Sequence, residues 1–206
     1  MPTPSPNSRS LDDVKPAVLR RVEVPFDIRL DRLHLTIQAA MGWTNSHLLY
    51  EIRAGDVSWT TPYPDQDWAG DFLDARKARL GDVLEDVGTK TLKYLYDFGD
   101  GWEHTIKVER LIDPEPGILY PQLIEAKGHC PPEDIGGPWG YGEFLQAIAD
   151  PSHERHRELK EWFTDDFNPH VVDVDWLSQD VAELAEGHNE RKRHEASTII
   201  VLADSE

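Results

Sequence analysis

Leu30, Leu33, Ile37, Ala40 and Met41 recur at three- and four-residue intervals, which predicts a helix over residues 30–41 with one apolar face. Asp27 is placed to cap its start, and Gly42 to end it by adopting a left-handed conformation. Ahead of it, Leu19 to Val24 carries β-branched residues and reads as a strand closed by Pro25. Leu48 to Arg53 and Val57 to Thr60 read as further strands joined by a Gly55-Asp56 turn. Thr61 to Ala78, rich in Pro, Asp and Trp, reads as an irregular excursion, followed by a short helix at Leu80 to Leu84. Strands are expected at Thr91–Asp97 and Trp102–Arg110.

Asp113 to Pro138 is a Pro/Gly-rich crossing. A helix is expected from Tyr141 to Ala149, and Asp150-Pro151 then offers an N-cap and first-turn proline for a helix reaching Trp162 or Phe163. A last helix covers Val174 to Glu186. Thr198 to Leu202 is apolar and β-prone but follows a charged stretch, so it reads as an edge strand or a tag-like tail. The order of elements implies an α+β fold with a mostly antiparallel sheet, one helix from the N-terminal half and a helical C-terminal third. A β-grasp-like first half is one arrangement that fits. The expected organisation is a flexible leader over 1–13, one domain over 14–186 and a charged tail over 187–206.

Composition narrows this further. Of 206 residues 39% are hydrophobic and seven are tryptophan, enough for a globular core. No run of eighteen apolar residues is present to span a bilayer, and the Pro/Ser-rich start lacks the apolar stretch of a signal peptide. Cys130 is the single cysteine, which excludes an internal disulfide and suits a reducing, cytoplasmic setting. A formal net charge of −18 repels a phosphate backbone at long range, so non-specific nucleic-acid binding is not expected. The compact basic clusters, Arg20-Arg21 and Arg191-Lys192-Arg193, have acidic neighbours and read as solvated faces.

Two stretches carry candidate chemistry. In Tyr94-Leu95-Tyr96-Asp97-Phe98-Gly99-Asp100-Gly101-Trp102-Glu103-His104, Asp100-Gly101 is a two-residue hairpin turn signal. That turn would set Asp97 opposite His104, on one face with Leu95, Ile106 and Val108. A carboxylate against an imidazole fixes the ring tautomer, an arrangement used beside metals and by general bases. It also serves simply to satisfy a half-buried histidine. The second stretch, Cys130-Pro131-Pro132-Glu133-Asp134-Ile135-Gly136-Gly137-Pro138-Trp139-Gly140-Tyr141, holds two carboxylates just before a helix. Oxygen, nitrogen or sulfur ligands could come from Glu133, Asp134, His129 or Cys130, although no standard metal-ligand spacing is present. The competing role is a rigid loop packing Trp139 and Tyr141 onto the sheet.

Among the other histidines, His34 borders the apolar stripe of the first helix and reads as a core-edge residue. His153 and His156 lie on a charged surface stretch. His47, in a loop before a central strand, could approach the hairpin. The candidate ligand site is therefore His47, Asp97, Asp100, Trp102, His104, Glu133 and Asp134, with Asp97, His104, Cys130, Glu133 and Asp134 as metal candidates. Phosphate-cradling glycine loops and serine-hydrolase elbows are absent from the sequence.

The blocks Lys15-Pro16 with Leu19–Val22, Gln38–Trp43, Ser46-His47-Leu48, Tyr94–His104, Glu115-Pro116-Gly117, Tyr120-Pro121 and Cys130–Asp134 with Gly136-Gly137 resemble the plasmid pRiA-type ORF-3-like family over about residues 14–180. The resemblance implies an α+β domain without an established activity, whose members are often labelled passengers of insertion elements, sometimes with a resolvase-like name. Serine recombination needs a nucleophilic serine supported by arginines and a basic DNA-binding domain, and this acidic chain has no such pattern. Relative to the family, Leu11-Asp12-Asp13 and a Pro/Ser-rich segment stand where an apolar strand is usual, and the Thr198–Leu202 stretch could complete the first strand pair. Two functions fit these residues. One is a non-catalytic binding module for a protein or small molecule, associated with mobile or accessory genes. The other is a divalent-metal hydrolase, for instance of phosphodiesters.

Overall fold

The structure is a computed structural model that describes residues 14–62, 72–163, 167–186 and 197–203. The expected leader, the Arg191-Lys192-Arg193 cluster and most of the charged tail lie outside these residues. The fold is α+β. Strands β1 (Leu19–Pro25), β2 (Tyr50–Ala54), β3 (Val57–Thr60), β4 (Phe72–Asp74), β5 (Thr91–Tyr96), β6 (Trp102–Ile112), β7 (Gln122–Lys127) and β8 (Ser197–Ala203) form one sheet. Its order is β4-β3-β2-β5-β6-β8-β1-β7, antiparallel except for the β3–β4 pair. The helices are α1 (Leu30–Met41), α2 (Leu80–Val87), α3 (Gly137–Ala149), α4 (His156–Trp162) and α5 (Val174–Glu186).

The sheet buries one face. In β5, Leu92, Tyr94 and Tyr96 are buried and alternate with more exposed Thr91, Lys93 and Leu95. The apolar stripe of α1 (Leu30, Leu33, Ile37, Ala40) joins Val22, Val24, Ile52, Tyr94, Ile106 and Ile200 in a single core. Burying each of these larger aliphatic side chains stabilises the fold by about 1.5–3 kcal/mol before the entropy of ordering it is counted.

Several elements differ from expectation. Arg29 stands at the start of α1, and Asp27 instead accepts from Arg79 through its backbone carbonyl and carboxylate. Gly42 does end the helix at φ 85°, its N–H donating to Gln38 O and Ala39 O. Within the Pro/Gly-rich crossing lies β7, an edge strand whose side chains are all partly exposed or exposed, so no alternation marks it. Asp150 accepts from Ser152 N and Oγ, making a local turn, and α4 begins only at His156. Tyr141 packs inward, whereas Trp139 is exposed.

The largest difference concerns β8. It completes the pairing of the first strand, as the family resemblance allowed, but as an interior strand between β6 and β1 rather than an edge strand or tail. Thr198, Ile200 and Leu202 are buried, and Thr198 Oγ1 donates to Arg110 O at 2.9 Å. β1 is thus antiparallel to both neighbours and pairs with no strand of the first half, so the first half does not close on itself as a β-grasp-like unit. Arg20 is no surface residue either. It is fully buried on β1, with Nε donating to Ala40 O at 2.6 Å and Nη1 to the carbonyls of Leu19, Lys127 and Gly128. Arg21 points outward to Glu109 and Glu125.

Candidate functional site

The β5–β6 register pairs Tyr94 with His104 and Tyr96 with Trp102, so residues 97–101 form a five-residue connection. The expected Asp100-Gly101 two-residue turn does not form, and Asp97 does not face His104. His104 thus pairs three residues earlier than the two-residue turn would set it, and any odd shift in register moves every side chain of a strand to the other face. Leu95 accordingly pairs with Glu103, away from Ile106 and Val108. His104 is buried, stacked on Tyr94 and 5.4 Å from Trp43 between ring centroids. Trp102 is fully buried beside Trp43. Both belong to the core and leave the candidate site.

Asp97 instead adopts a left-handed conformation at φ 51°. Its Oδ1 accepts from Gly99 N at 2.9 Å, and its own N–H donates to Leu49 O at 3.0 Å. That second bond ties the hairpin loop to the segment carrying His47. His47 Nε2 stands 3.0 Å from Asp134 Oδ1 and 3.5 Å from Asp97 Oδ2. One ligand atom from each of His47, Asp97 and Asp134 lies within 4.8 Å of the others. Ligand atoms around a tetrahedral zinc stand roughly 3.3–3.6 Å apart, given metal–ligand lengths near 2.0–2.2 Å, so small rotamer changes would close the set. Asp97 is buried, while His47 is partly and Asp134 largely open to solvent.

The backbone singles out the same place. Among the described residues, the non-glycine residues with positive φ are Asn45, Asp97 and Asp134, at 56°, 51° and 60°. All three lie in the loops that build this cluster. Asn and Asp tolerate that region better than other side chains, and such conformations concentrate where a fold must aim particular groups.

Glu133 sits beside the cluster but does another job. Its carboxylate accepts from Thr44 N at 2.8 Å, Thr44 Oγ1 at 2.5 Å, Ser46 Oγ at 3.0 Å and Tyr96 Oη at 2.7 Å. Partial burial alone would raise its pKa, but the hydrogen bonds from Thr44, Tyr96 and Ser46 outweigh that and hold it below the ordinary glutamate value. Burial, reinforced by the Glu133 carboxylate, pushes the Tyr96 hydroxyl well above its ordinary value, so it stays a donor. With four donors on it, Glu133 fixes the loop that presents His47 and is withdrawn from the ligand set.

Asp100 Oδ2 accepts from Gly136 N at 3.2 Å, clamping the hairpin loop to the start of α3. Burial raises its pKa, helped by the charges of Asp97 and Asp134 and opposed by the backbone N–H groups of Gly137 and Gly136. The contact requires glycine at 137, where φ is 70° and a Cβ would collide with the Asp100 carbonyl. Cys130 is buried away from the cluster and leaves the metal set together with His104 and Glu133.

Four other histidines are engaged locally. His34 is buried between Tyr94 Oη on Nδ1 and Asn45 Oδ1 on Nε2. Burial lowers its pKa to about 4 despite the bond to Asn45. His129 Nδ1 donates to Cys130 O, and His156 Nδ1 to Ala147 O. His153 Nδ1 accepts from Arg155 N.

Of the sequence candidates, the structure thus brings His47, Asp97 and Asp134 together, with Glu133 and Asp100 as their supports. Thr44, Asn45, Ser46 and Tyr96 are not among the sequence candidates. The one signal for them is the run of short polar side chains directly after the Gly42 helix stop, suited to donating to a carboxylate.

The sequence matches the family described as "Plasmid pRiA4b ORF-3-like protein" over residues 9–176. It is 54% identical over 177 residues to the uncharacterized protein y4hQ of Sinorhizobium fredii (strain NBRC 101917 / NGR234), covering 85% of this chain and 89% of that protein. The fold is similar to the crystal structure of the protein of unknown function MM3350 from Methanosarcina mazei Go1. The TM-score is 0.65 at 28% identity, over 77% of this chain and 96% of the other.

Proposed function

The chain belongs to the plasmid pRiA4b ORF-3-like family, and we propose that it is a binding module whose recognition centre is a divalent-cation site made by His47, Asp97 and Asp134. The observation that carries this reading is the convergence of the three ligand atoms from three separate loops. The basic side chain that meets both carboxylates is His47, which is itself a metal ligand in its neutral form. An imidazole with two carboxylates suits Zn²⁺ or another first-row divalent ion better than Mg²⁺ or Ca²⁺, which prefer oxygen alone. Three protein ligands at a solvent-open rim leave coordination positions for the partner, a protein or small molecule bearing a ligand group.

That openness also favours a second reading, hydrolysis, because a bound water on such an ion becomes a nucleophile near neutral pH. The acidic chain argues against non-specific attraction of nucleic acid in either case. No helix among the described residues is long and apolar enough to cross a membrane; the lone cysteine agrees with a cytoplasmic setting, and the plasmid in the family's description with an association with accessory genes.

The test is elemental analysis of protein purified without chelator, with bis(4-nitrophenyl) phosphate turnover measured after metal loading. Copurified zinc or manganese near one equivalent, lost in His47→Ala, supports the binding centre, and metal-dependent turnover would promote the hydrolytic reading. Absence of metal, both as purified and after loading, contradicts both.

A further inference from the structure

A second place on the molecule has the form of a small-molecule site. A cavity of about 450 Å³ opens between the end of α1, the 129–133 loop, the end of α4 and the start of α5. That volume falls within the roughly 300–1,000 Å³ range of ligand pockets.

Three indoles line it. Trp43 is buried and fixed, its Nε1 donating to Pro131 O at 2.9 Å. Trp162 and Trp176 are each 50% exposed, an unusual outlay of large apolar surface on two separate helices. Gly42 makes room for the second of them, since a Cβ there would stand 2.9 Å from Trp176 Cζ3.

The charges around these rings decide what fits. Glu133 and Asp173 supply carboxylates, and Met41 and Gly42 belong to the C-terminal end of α1, where backbone carbonyls concentrate negative potential. Arg20 also borders the cavity, but its Nε and Nη1 donate to the carbonyls of Ala40, Leu19, Lys127 and Gly128. The positive end of α5 is answered by Asp173, whose Oδ1 accepts from Trp176 N at 2.9 Å. The Glu133 and Asp173 charges and the C-terminal end of α1, set against one guanidinium and the N-terminal end of α5, leave the cavity net negative. Indole faces add attraction for a cation and none for an anion.

We propose that this cavity binds a small organic cation, an ammonium group on a compact apolar body, held against Trp162 and Trp176 and beside Asp173. The site is distinct from the His47–Asp97–Asp134 cluster, although Glu133 borders both.

The experiment is calorimetric titration of the full chain at low ionic strength with benzyltrimethylammonium, benzyl alcohol and benzoate. The expected result is one-to-one binding of benzyltrimethylammonium, at least about tenfold tighter than either other probe. Asp173→Asn keeps a helix-capping side chain while removing the charge, and it should weaken the cation by about threefold or more. Trp176→Leu should do the same, and Asp56→Asn, on the exposed turn between β2 and β3, should leave the affinity unchanged. Where Trp176→Leu fails to fold, Asp173→Asn decides alone. Benzoate binding as tightly as the cation, no heat with the cation at about 10 mM, or full affinity in Asp173→Asn overturns the proposal.

Discussion

Tyr94 lies opposite His104 across the β5–β6 pair, and their rings stack with centroids 5.5 Å apart and planes 13° from parallel. This pairing keeps His104 in the core beside Trp43. It also ends β5 at Tyr96, which leaves Asp97 free to turn back, in a left-handed conformation, toward His47. A shorter connection would have sacrificed that turn, so the five-residue loop is what places a carboxylate at the cluster.

Glu133→Gln is expected to lower stability by about 1–2 kcal/mol at pH 7, a charge-assisted hydrogen-bond value reduced for partial exposure. The folded-state pKa of Glu133 lies below its unfolded value. Its contribution is therefore complete above the ordinary glutamate pKa of about 4.3 and is lost as pH falls through the lower folded value. Urea denaturation at pH 7 and at pH 3 checks this: the gap between wild type and Glu133→Gln should narrow in acid. An equal gap at both would contradict the role assigned to the carboxylate.

His34 predicts a separate acid dependence. Its pKa is depressed to about 4 in the folded state against 6.5 for the free side chain. Between those values the unfolded chain takes up a proton that the folded chain refuses, so stability is full above pH 6.5 and falls toward pH 4. The loss amounts to about 3 kcal/mol. Denaturation midpoints across that range should drop in the wild type and flatten in His34→Gln. A parallel slope in the variant would rule His34 out as the cause.

Deleting residues 197–206 should abolish cooperative folding rather than trim an edge. Without β8, β6 and β1 lose their shared partner and the sheet divides into two parts with unpaired strand edges. Circular dichroism melts and gel filtration of residues 1–196 check this: a broad or absent transition with aggregation is expected. A cooperative, monomeric unfolding curve would show β8 to be dispensable.

Much of the fold could be read from pattern. The limits of α1 and α5 follow from apolar spacing, and the Gly55-Asp56 turn and β3 from local residue types. What could not be read depends on partners distant in sequence. The resemblance allowed Thr198–Leu202 to pair with the first strand, but the stretch gives no local sign that β6 will take its other edge. Nothing in Arg20 tells that four carbonyls will take its donors. At the site, His47, Asp97 and Asp134 were each legible as chemistry, but the hairpin register was not. Asp-Gly favours a two-residue turn locally. Here the stacking of Tyr94 on His104 and the bond from Gly101 N to Asp97 O accompany the longer loop instead.

His47, Asp97 and Asp134 are proposed to hold one divalent ion. Calorimetric titration of chelator-treated protein with Zn²⁺ and Mn²⁺, beside Asp97→Asn, tests it most directly. Loss of one of three ligands should weaken binding by about tenfold or more, with the fold retained. One saturable site is expected in the wild type, with a clear loss of affinity in Asp97→Asn. No saturable binding of either ion, or identical isotherms for the two proteins, would contradict it.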